Sequence, residues 1–471
     1  MIASQGKTMP YGWTDAGRNR DECAGLSGRT DGKRRPATLF KAMPGGTMQQ
    51  RRTGPLRALI FLAAVLVPSI ASAVCTLPAP IDIGVTWERT LHVATTGSAS
   101  GDGSPGAPFA TIDQAANAAT PGTRILVQSG TYGPVSLDGL TGAAGRPVAI
   151  VADGDVTVDA GGAGTPVRMS DPAYVVLEGF TLTGASVHGM NIDDGGSYDT
   201  PAHHLVLRNL TIAGAGSGGN NDCIKLSGVD DFWVLDSDVS GCNRGEIIDM
   251  VGCHRGVISG NYFHDTIGSG VQTKGGSADT IIHGNIFERI PGRAVNAGGS
   301  TGEPYFRPID APYEAARIQI IGNIFSQNGV NSGAAVAYVG CDGCVFAQNT
   351  VVEPRTWVAR ILQESTAPRF VPSRNGLFVN NLVVLRTEDL RTFVNVGPGT
   401  APVEIVALAA PMRRAPPTGG GGQFEAVDLT RGNFTFQVGA FQKRANAERL
   451  ARQLEKRHTN VHIASFDRGD G

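Results

Sequence analysis

The chain has little of what marks nucleic-acid-binding, helical-repeat or membrane-spanning proteins. Its 471 residues carry a formal net charge of −2, so composition offers no basic surface for nucleic acid or acidic lipid. Aromatic residues make up only 6% of the chain, which weakens the case for a binding surface built purely from stacked rings. No amphipathic helical stretch of useful length lies between Val135 and Val396. That absence argues against leucine-rich and ankyrin repeats, which need a helix in each unit.

Glycine is what the sequence has in excess, and asparagine recurs in a regular pattern. The 64 glycines are about twice the usual frequency, and apolar runs separate them. A short phrase with a central asparagine recurs at Asn209, Asn261, Asn285, Asn323, Asn349 and Asn381. The spacings fit a unit of roughly 24 residues with occasional insertions, which is typical of a stacked solenoid.

The repeat unit predicts strands. Short β-branched runs such as Val257-Ile258-Ser259 and Thr280-Ile281-Ile282 are bounded by Gly, Asn, Asp or Ser. Three such strands per unit predict an all-β parallel β-helix solenoid, with the asparagine at the same corner of every coil. Stacked amides about 4.8 Å apart can hydrogen-bond from coil to coil, so we predict a structural role for this row. Residues 108–119 predict a helix that caps the first coil.

The first 73 residues have the pattern of a secretory leader. Basic residues precede a short apolar run at 58–67, and Ala71-Ser72-Ala73 matches a small-x-small cleavage site. The run is too short for an easy membrane span. We therefore expect residues 1–73 to be a leader with a signal peptide, with Met48 as an alternative start. The mature chain is then expected to be periplasmic or secreted, with no integral membrane span.

Six cysteines follow the predicted cleavage site: Cys75, Cys223, Cys242, Cys253, Cys341 and Cys344. An even number in an exported chain is typical of disulfides, but the sequence does not choose the connectivity. Cys253 and Cys341 are about three coils apart, roughly 15 Å, which is beyond disulfide reach. For Cys341 and Cys344 we expect a local disulfide or free thiols.

The start of the repeat region resembles that of right-handed parallel β-helix proteins. The similarity rests on residues 102–112 followed by 125–132, and it extends over about residues 90–400. This pectate-lyase-like superfamily includes pectate, chondroitin and alginate lyases. The resemblance implies a β-helix domain at 74–400 that engages polysaccharide. It is less specific for activity, because function lies in sites rather than in folds.

A different pattern follows the repeats. Residues 401–430 are rich in proline and glycine and predict a linker. Within 431–471, alternation of apolar and polar residues predicts a half-buried strand, followed by an amphipathic helix at 445–457 and a second strand. A lone strand–helix–strand unit is marginal as an independent fold.

This last segment resembles the start of a SPOR domain. The similarity rests on Phe436-Gln437-Val438-Gly439-Ala440-Phe441 and on Asn446, Ala447, Leu450 and Leu454. That family binds peptidoglycan glycan strands that lack stem peptides. The resemblance implies a partial SPOR-like domain at 431–471, with Gln437 on the sheet face that contacts glycan. The alternative for Gln437 is a solvated strand residue.

One strand in each coil predicts a polar strip on the surface. Alignment of these strands places apolar residues such as Ile224 and Leu226 inward. The outward row is then Lys225, Asp249, Gln272 and Asn296, and the next outward row is Ser227, Val251, Lys274 and Gly298. A one-residue slip in the alignment would exchange the two faces.

Elimination from a uronic acid is one chemistry that this strip allows. The reaction needs a base, for which Lys274 or Lys225 is the candidate. It also needs a group that neutralises the carboxylate, for which Arg293 or Arg307 is the candidate. In the chondroitin-lyase branch of the superfamily, a lysine stands where this chain has Val251. That departure counts against a lyase.

Carboxylates on the same strip allow other interpretations. Asp222, Glu246 and Asp249 could bind Ca²⁺ as hard oxygen ligands, and Asp249 with Glu246 could act as the paired carboxylates of a glycoside hydrolase. Lys225 and Asp249 could equally form an ion pair between coils with no further role. A non-catalytic surface scaffold is therefore a third alternative. The histidines, among them His188, show no metal-ligand spacing and are interpreted as surface or corner residues.

Overall fold

The computed structural model describes residues 77–197, 199–218, 220–384, 392–400, 404–409, 434–441, 452 and 461–465. Strands dominate these residues. The helical segments with defined bounds there are α1 (Ile112–Asn117) and a 3-10 turn at Glu303–Tyr305.

The strands are short and follow one another closely along the chain. In chain order they are β1 (Arg89–Ser98), β2 (Thr123–Tyr132), β3 (Val135–Asp138), β4 (Val148–Asp159), β5 (Val167–Ser170), β6 (Ala173–Thr183), β7 (Met190–Asp193), β8 (Ala202–Arg208), β9 (Thr211–Ala213), β10 (Ile224–Ser227), β11 (Val229–Leu235), β12 (Asp238–Ser240), β13 (Glu246–Val251), β14 (Val257–Ser259), β15 (Tyr262–His264), β16 (Ser269–Lys274), β17 (Ser277–Ala278), β18 (Ile281–His283), β19 (Ile286–Glu288), β20 (Val295–Gly298), β21 (Ala315–Ala316), β22 (Gln319–Ile321), β23 (Ile324–Ser326), β24 (Ala334–Val339), β25 (Cys341–Asp342), β26 (Val345–Ala347), β27 (Thr350–Val352), β28 (Trp357–Leu362), β29 (Gly376–Val379), β30 (Leu382–Val384), β31 (Thr392–Val396), β32 (Glu404–Ala409), β33 (Phe434–Phe441) and β34 (Val461–Ser465).

One sheet contains ten strands, one from each successive coil. Its order is β3-β5-β7-β10-β13-β16-β20-β24-β28-β31, and every pairing in it is parallel. Most of the other strands form a sheet of 21, and β17, β21 and β25 form a third sheet. Because parallel strands recur coil after coil, the structure confirms the predicted parallel β-helix.

Inward-facing side chains fill the solenoid, and phenylalanines form its most regular column. Ring centroids lie between 4.9 and 5.6 Å apart along Phe263, Phe287, Phe325, Phe346 and Phe378. All five rings are buried. Since burying one such side chain contributes about 1.5–3 kcal/mol, the column stabilises the stacking of the coils.

The asparagine ladder is confirmed over five coils. Nδ2 of Asn261 donates to Oδ1 of Asn285 at 2.8 Å, and Nδ2 of Asn285 donates to Oδ1 of Asn323 at 2.9 Å. Nδ2 of Asn323 donates to Oδ1 of Asn349 at 3.3 Å, and the backbone N–H of Asn349 donates to Oδ1 of Asn381 at 2.8 Å. Each asparagine of the inner coils thus hydrogen-bonds to the asparagines of the coils on both sides. The role of the ladder is therefore structural.

Asn209 was predicted in this ladder, and that prediction is wrong. β9 pairs with β12, and β12 pairs with β15, so Leu210, Ser237 and Asn261 share the ladder position. Asn209 stands one residue earlier, at a left-handed corner with φ 53°. The phrase around Asn209 looks like the repeat but is out of register by one residue. Oγ of Ser237 takes over the acceptor role and receives the N–H of Leu210 at 3.1 Å.

The predicted cap is present but shorter than expected. The helix α1 begins after Thr111, whose side chain accepts from the N–H of Gln114 in a capping box. Ile112, Ala115 and Ala116 are its buried residues. The preceding Phe109 forms bridges to β1 instead of helix, which explains the later start.

Two disulfides lie within the described residues. Cys223 bonds to Cys242, and Cys341 bonds to Cys344. Of the two alternatives for Cys341 and Cys344, the structure has the local disulfide and not free thiols. The thiol of Cys253 is free and buried, and burial raises its pKa to about 12. Cys75 lies outside the described residues.

The C-terminal part differs from the predicted linker at one place. Glu404–Ala409 forms β32, which pairs in parallel with β33 and β34, and β33 also pairs with β29. The run between Pro402 and Pro411 contains no glycine or proline and is largely apolar, which suits a strand rather than a linker. The leader, the rest of the linker and most of the predicted helix at 445–457 lie outside the described residues. None of the helices in the described part of the chain has the length and hydropathy of a membrane-spanning segment.

Candidate functional site

The ten-stranded sheet carries two outward rows of side chains in the predicted register. Lys225 pairs with Asp249, Asp249 with Gln272, and Gln272 with Asn296. The first row comprises Ser136, Arg168, Asn191, Lys225, Asp249, Gln272, Asn296, Ala337, Arg360 and Asn395. The second row comprises Asp138, Ser170, Asp193, Ser227, Val251, Lys274, Gly298, Val339 and Leu362. The alternation of apolar and polar residues therefore predicted the facing of these strands correctly.

Two lysines meet at one aspartate in the middle of these rows. Nζ of Lys225, on the coil before Asp249, donates to Oδ2 of the Asp249 carboxylate. Nζ of Lys274, on the coil after it, lies 3.0 Å from Oδ1. Asp249 is only 2% exposed, whereas the lysine side chains are 20% and 16% exposed. We call Lys225, Asp249 and Lys274 the charge cluster. Val251, which stands where the chondroitin-lyase branch has a lysine, pairs with Lys274 in the second row. A lysine thus occupies the same row one coil further on.

The charge state of Asp249 follows from two opposing effects. Burial raises the pKa of its carboxyl group, but the ammonium groups of Lys225 and Lys274 outweigh burial and hold that pKa well below its ordinary range. Asp249 is therefore a carboxylate at neutral pH. A glycoside hydrolase needs one carboxyl group that donates a proton to the substrate, and a buried, doubly ion-paired Asp249 is poorly suited to that role.

The three acidic residues predicted as Ca²⁺ ligands are brought together. Carboxylate oxygens of Asp222, Glu246 and Asp249 lie within 4.8 Å of one another. However, both oxygens of Asp249 face ammonium groups, and Nζ of Lys225 lies 3.9 Å from Oδ2 of Asp222. Oδ1 of Asp222 also accepts the backbone N–H of Glu246 at 2.6 Å. In this arrangement the lysines supply the positive charge that a cation would supply, so the residues do not fit Ca²⁺ as they stand.

His188 belongs to this site, although the sequence interpretation gave it, as a surface or corner residue, no part in the site. Its Nδ1 accepts the backbone N–H of Asp222 at 3.0 Å and lies 3.7 Å from Oδ2 of the same residue. Burial, aided by the charge of Lys225, lowers the pKa of His188 to about 4, so the ring is neutral at pH 7 with its proton on Nε2. His188 lies in the loop before β7, where no periodic pattern applies. A strand-based alignment therefore had no means of finding it.

The two arginines predicted to hold a substrate carboxylate are engaged with carboxylates of the protein. Arg293 is 1% exposed; its Nη2 donates to Oε1 of Glu364 at 2.9 Å, and its Nη1 donates to Oδ1 of Asn296 at 3.2 Å. Arg307 donates through both terminal nitrogens to Asp230, at 2.7 and 2.8 Å. A substrate could pair with either arginine only after displacing these partners. Their predicted role stays a prediction.

The outward rows are open at one end and covered in the middle, and Arg360 and Asn395 at the far end of the first row are half-buried. In the first row, side chains from β3 to β10 are exposed or half-buried, whereas those from β13 to β24 are buried, with Gln272 at 2% and Asn296 at 0% exposure. In the second row Gly298 and Val339 are buried, and Leu362 is half-buried. We call the outward residues of β3, β5, β7 and β10 the open strip. The prediction of a surface strip at Lys225, Asp249, Gln272 and Asn296 is therefore wrong except at Lys225, because the other three side chains are buried. The open strip lies on the coils that precede Asp249, and the charge cluster stands where it ends.

Comparison with protein families adds one match. The family model "SPOR domain" matches residues 430–471, which agrees with the resemblance seen in the sequence. Gln437 lies on β33 within this segment, opposite Val406 of β32 in the strand register. No curated protein matches the chain.

Solved structures with a similar course of the chain include enzymes and an adhesin. An alginate lyase from Paenibacillus sp. is 18% identical, with a TM-score of 0.41, and covers 65% of this chain and 99% of its own. A PL6-family polysaccharide lyase from Pseudopedobacter saltans is 13% identical, with a TM-score of 0.41, and covers 76% and 91%. A surface adhesin of Streptococcus pneumoniae is 12% identical, with a TM-score of 0.34, and covers 58% and 79%. Likenesses of this degree carry no information about activity or substrate.

Proposed function

We propose that the chain is an exported cell-envelope protein whose β-helix binds an acidic polysaccharide on the open strip. The observation that carries this proposal is the charge cluster at the end of a polar strip. Lys225 and Lys274 are half-buried, and Arg168 of the same strip is exposed. Partial burial strengthens the attraction between an ammonium group and a carboxylate, so these groups suit a polymer of uronic acids.

The spacing of the strip supports a linear polymer as ligand. Adjacent strands lie about 4.8 Å apart, so hydrogen-bonding side chains recur along the strip at a distance comparable to one sugar residue. Asn191 donates to Asp193 at 2.8 Å, and Ser170 donates to Asp193 at 2.7 Å. These bonds fix polar side chains in place before any ligand arrives, which lowers the entropic cost of binding.

Affinity electrophoresis in gels cast with sodium alginate or polygalacturonate tests the binding. The full chain is expected to be retarded by at least one of these polymers. Substitution of both lysines, Lys225→Gln with Lys274→Gln, retains a hydrogen bond to Asp249 but removes two charges and should weaken retardation at least about tenfold. Arg317→Ala, at an exposed corner ion pair with Asp279, is the matched control and should leave retardation unchanged. Equal retardation of the double variant and the wild type would contradict the proposal.

For the C-terminal segment, we propose binding of peptidoglycan glycan strands. The support is the family match at 430–471 together with the position of Gln437 on β33. Purified sacculi, before and after enzymatic removal of the stem peptides, should sediment the full chain, more strongly after removal. Gln437→Ala should reduce sedimentation, whereas the lysine double variant should not. Sedimentation that does not respond to stem-peptide removal would speak against this assignment.

Elimination is the second candidate function, favoured by two lysines that reach one carboxylate from successive coils. The neutral amine of Lys274 would take the proton from C5 of a uronate as the C4–O4 bond breaks and a C4=C5 double bond forms. The departing oxygen would take a proton from solvent. Since Lys274 is ion-paired with Asp249, that pair must open first. Lys225 would then face the substrate carboxylate in place of Arg293.

The unsaturated product absorbs in the ultraviolet, so absorbance during incubation with uronic-acid polymers tests elimination. Lys274→Ala should reduce the rate by about 10²- to 10⁴-fold. Lys225→Gln should act mainly on KM. Because the acidic residues do not fit Ca²⁺ as they stand, a chelator should leave the rate unchanged. A polymer that is bound but gives no rise in absorbance and no new reducing ends would favour a non-catalytic binding scaffold.

A further inference from the structure

The open strip ends against a segment that the repeat pattern does not explain. Residues 299–314 leave the sheet after β20 and return at β21; we call them the wall. A Cβ atom on Gly299 would lie 3.1 Å from Nε2 of Gln272 and 3.3 Å from Cβ of Lys274. The backbone at the root of the wall therefore lies directly against outward side chains of both rows, where exposure is lost.

A buried carboxylate ties the wall to the sheet. Glu314 is 0% exposed and accepts four hydrogen bonds. Its donors are the N–H of Gly275 at 3.0 Å, the N–H of Thr301 at 2.9 Å, the hydroxyl of Thr301 at 2.8 Å and the hydroxyl of Ser365. Gly275 directly follows Lys274 in the chain, so the wall and the charge cluster share one rigid attachment.

Arg307 provides the second attachment. Its guanidinium donates to both oxygens of Asp230 and to the carbonyl of Gly252 at 2.9 Å, while its backbone N–H donates to the carbonyl of Gly275 at 2.9 Å. Gly252 has φ +61°, and a Cβ atom there would lie 2.6 Å from Cβ of Arg307. The wall thus needs glycine at this corner in order to lie close to the sheet.

The wall carries one exposed aromatic side chain, that of Tyr305, next to these two attachments. Tyr305 is 66% exposed, and a Cβ atom on Gly302 would lie 3.2 Å from its ring. The carbonyl of Tyr305 approaches Gly275 in the same way, at 3.3 Å. Among the described strands, neither outward row carries an aromatic residue. Tyr305 therefore adds the flat apolar face that the strip itself lacks.

We propose that the site receives the end of a polysaccharide chain rather than its middle, with the wall as the stop and Tyr305 as a ring against the terminal sugars. This inference rests on the proposed binding of acidic polysaccharide. A chain lying along the strip, one sugar per strand, meets buried side chains from β16 to β24 and can go no further in line. The open direction runs from the charge cluster towards β3.

Calorimetric stoichiometry tests this without any need for catalysis. The full chain is titrated with size-fractionated oligogalacturonates and with long polygalacturonate, or with the alginate series if that polymer retards the chain. An end-binding site takes one protein per polymer chain at every length. A site for chain interiors takes more protein as the polymer lengthens, and that result would overturn end recognition while leaving the proposed function intact. Absence of binding to both series would remove the proposed function and this inference together.

Variants on the wall test the role of the ring. Tyr305→Ala should weaken binding of short oligomers by roughly three- to tenfold, and Tyr305→Phe should restore it. Ile309→Ala, on the same wall and 53% exposed, is the matched control and should bind as the wild type does. Thermal unfolding of each variant checks that the fold is unchanged. Equal affinity of Tyr305→Ala and the wild type would show that the ring does not contact the terminal sugars.

Discussion

The asparagine ladder and the first row are both columns of side chains that rise by one step per coil, but they are composed differently. In the ladder, identical amides each donate and accept, so every group is satisfied by a copy of itself. In the first row, the residue type changes at every strand, and Lys225 of this row and Lys274 of the second row both reach the carboxylate of Asp249. Two further carboxyl groups, of Asp222 and Glu246, lie close by.

This difference separates a structural column from a functional one. A column of like residues has no net charge and no unused hydrogen-bonding direction, so a ligand gains nothing by approaching it. A column of unlike residues keeps partly exposed charged and polar groups, which a ligand can use. Substitutions in the two columns should therefore affect different measurements.

The largest effect is expected from Asn285→Leu. Its amide donates to Asn323 and to the carbonyls of Ile258 and His283, and its loss leaves buried polar groups without partners. We expect a loss of about 3 kcal/mol in the free energy of unfolding, measured by urea denaturation, with polysaccharide binding unchanged below the transition. Asn209→Gly, outside the ladder and compatible with a left-handed corner, should change stability by less than about 0.5 kcal/mol. Similar losses for both variants would contradict the ladder.

Asp249→Asn should affect both measurements. The amide keeps an acceptor for one lysine but removes the carboxylate that both ammonium groups share, so we expect a loss of about 2 kcal/mol in the free energy of unfolding. Binding of an acidic polymer should become stronger, because the substitution removes a negative charge from the cluster. Weaker binding, with the fold intact, would show that Asp249 serves the ligand by orienting the lysines.

The pH dependence of this difference follows from the lowered pKa of Asp249. The unfolded carboxyl group has a pKa of about 3.9, and the folded value lies below it. The stabilisation is therefore fully present above about pH 5 and is lost as the pH falls through and below 4. Thermal midpoints of the wild type and Asp249→Asn should differ most at neutral pH and converge in acid. If the difference between the two thermal midpoints grew as the pH fell, the lowered pKa of Asp249 would be contradicted.

The smallest effect is expected from Asp230→Asn, which loosens the wall without touching either column. Arg307 loses a carboxylate partner but keeps the carbonyl of Gly252 and its backbone bond to Gly275. We expect a loss of about 1 kcal/mol in the free energy of unfolding and roughly threefold weaker binding of short oligomers. Asp279→Asn, which removes the exposed partner of Arg317, is the control and should leave binding unchanged.

Much of the fold follows from the sequence because the repeat is periodic. The alternation of Ile224, Lys225 and Leu226 predicted which side chains face inward, and the aligned register is correct for the four strands to which it was applied, β10, β13, β16 and β20. The same reasoning anticipated the ion pair of Lys225 with Asp249, whereas the contact of Lys274 with the same carboxylate was not predicted. The error at Asn209 arose because four similar letters recur one residue out of register, and only strand pairing shows the shift.

The rest of the site depends on segments without a period. His188 and the wall lie in connections, where contacts between distant residues set the conformation and the local sequence does not. Gln272 is likewise buried where Gly299 lies against it, and the sequence of its own strand gives no sign of this contact. The pairing of Cys223 with Cys242 could not be chosen from the sequence either, since every pairing satisfied the even count.

The wall limits the length of polysaccharide that the open strip can contact. The open strip covers β3, β5, β7 and β10, three steps of about 4.8 Å. A bound oligomer can gain contacts only until this length is filled, so affinity should climb over the first few sugars and then reach a plateau. Each coil adds one step to the surface that a ligand can contact, and the wall is the point from which these steps are counted.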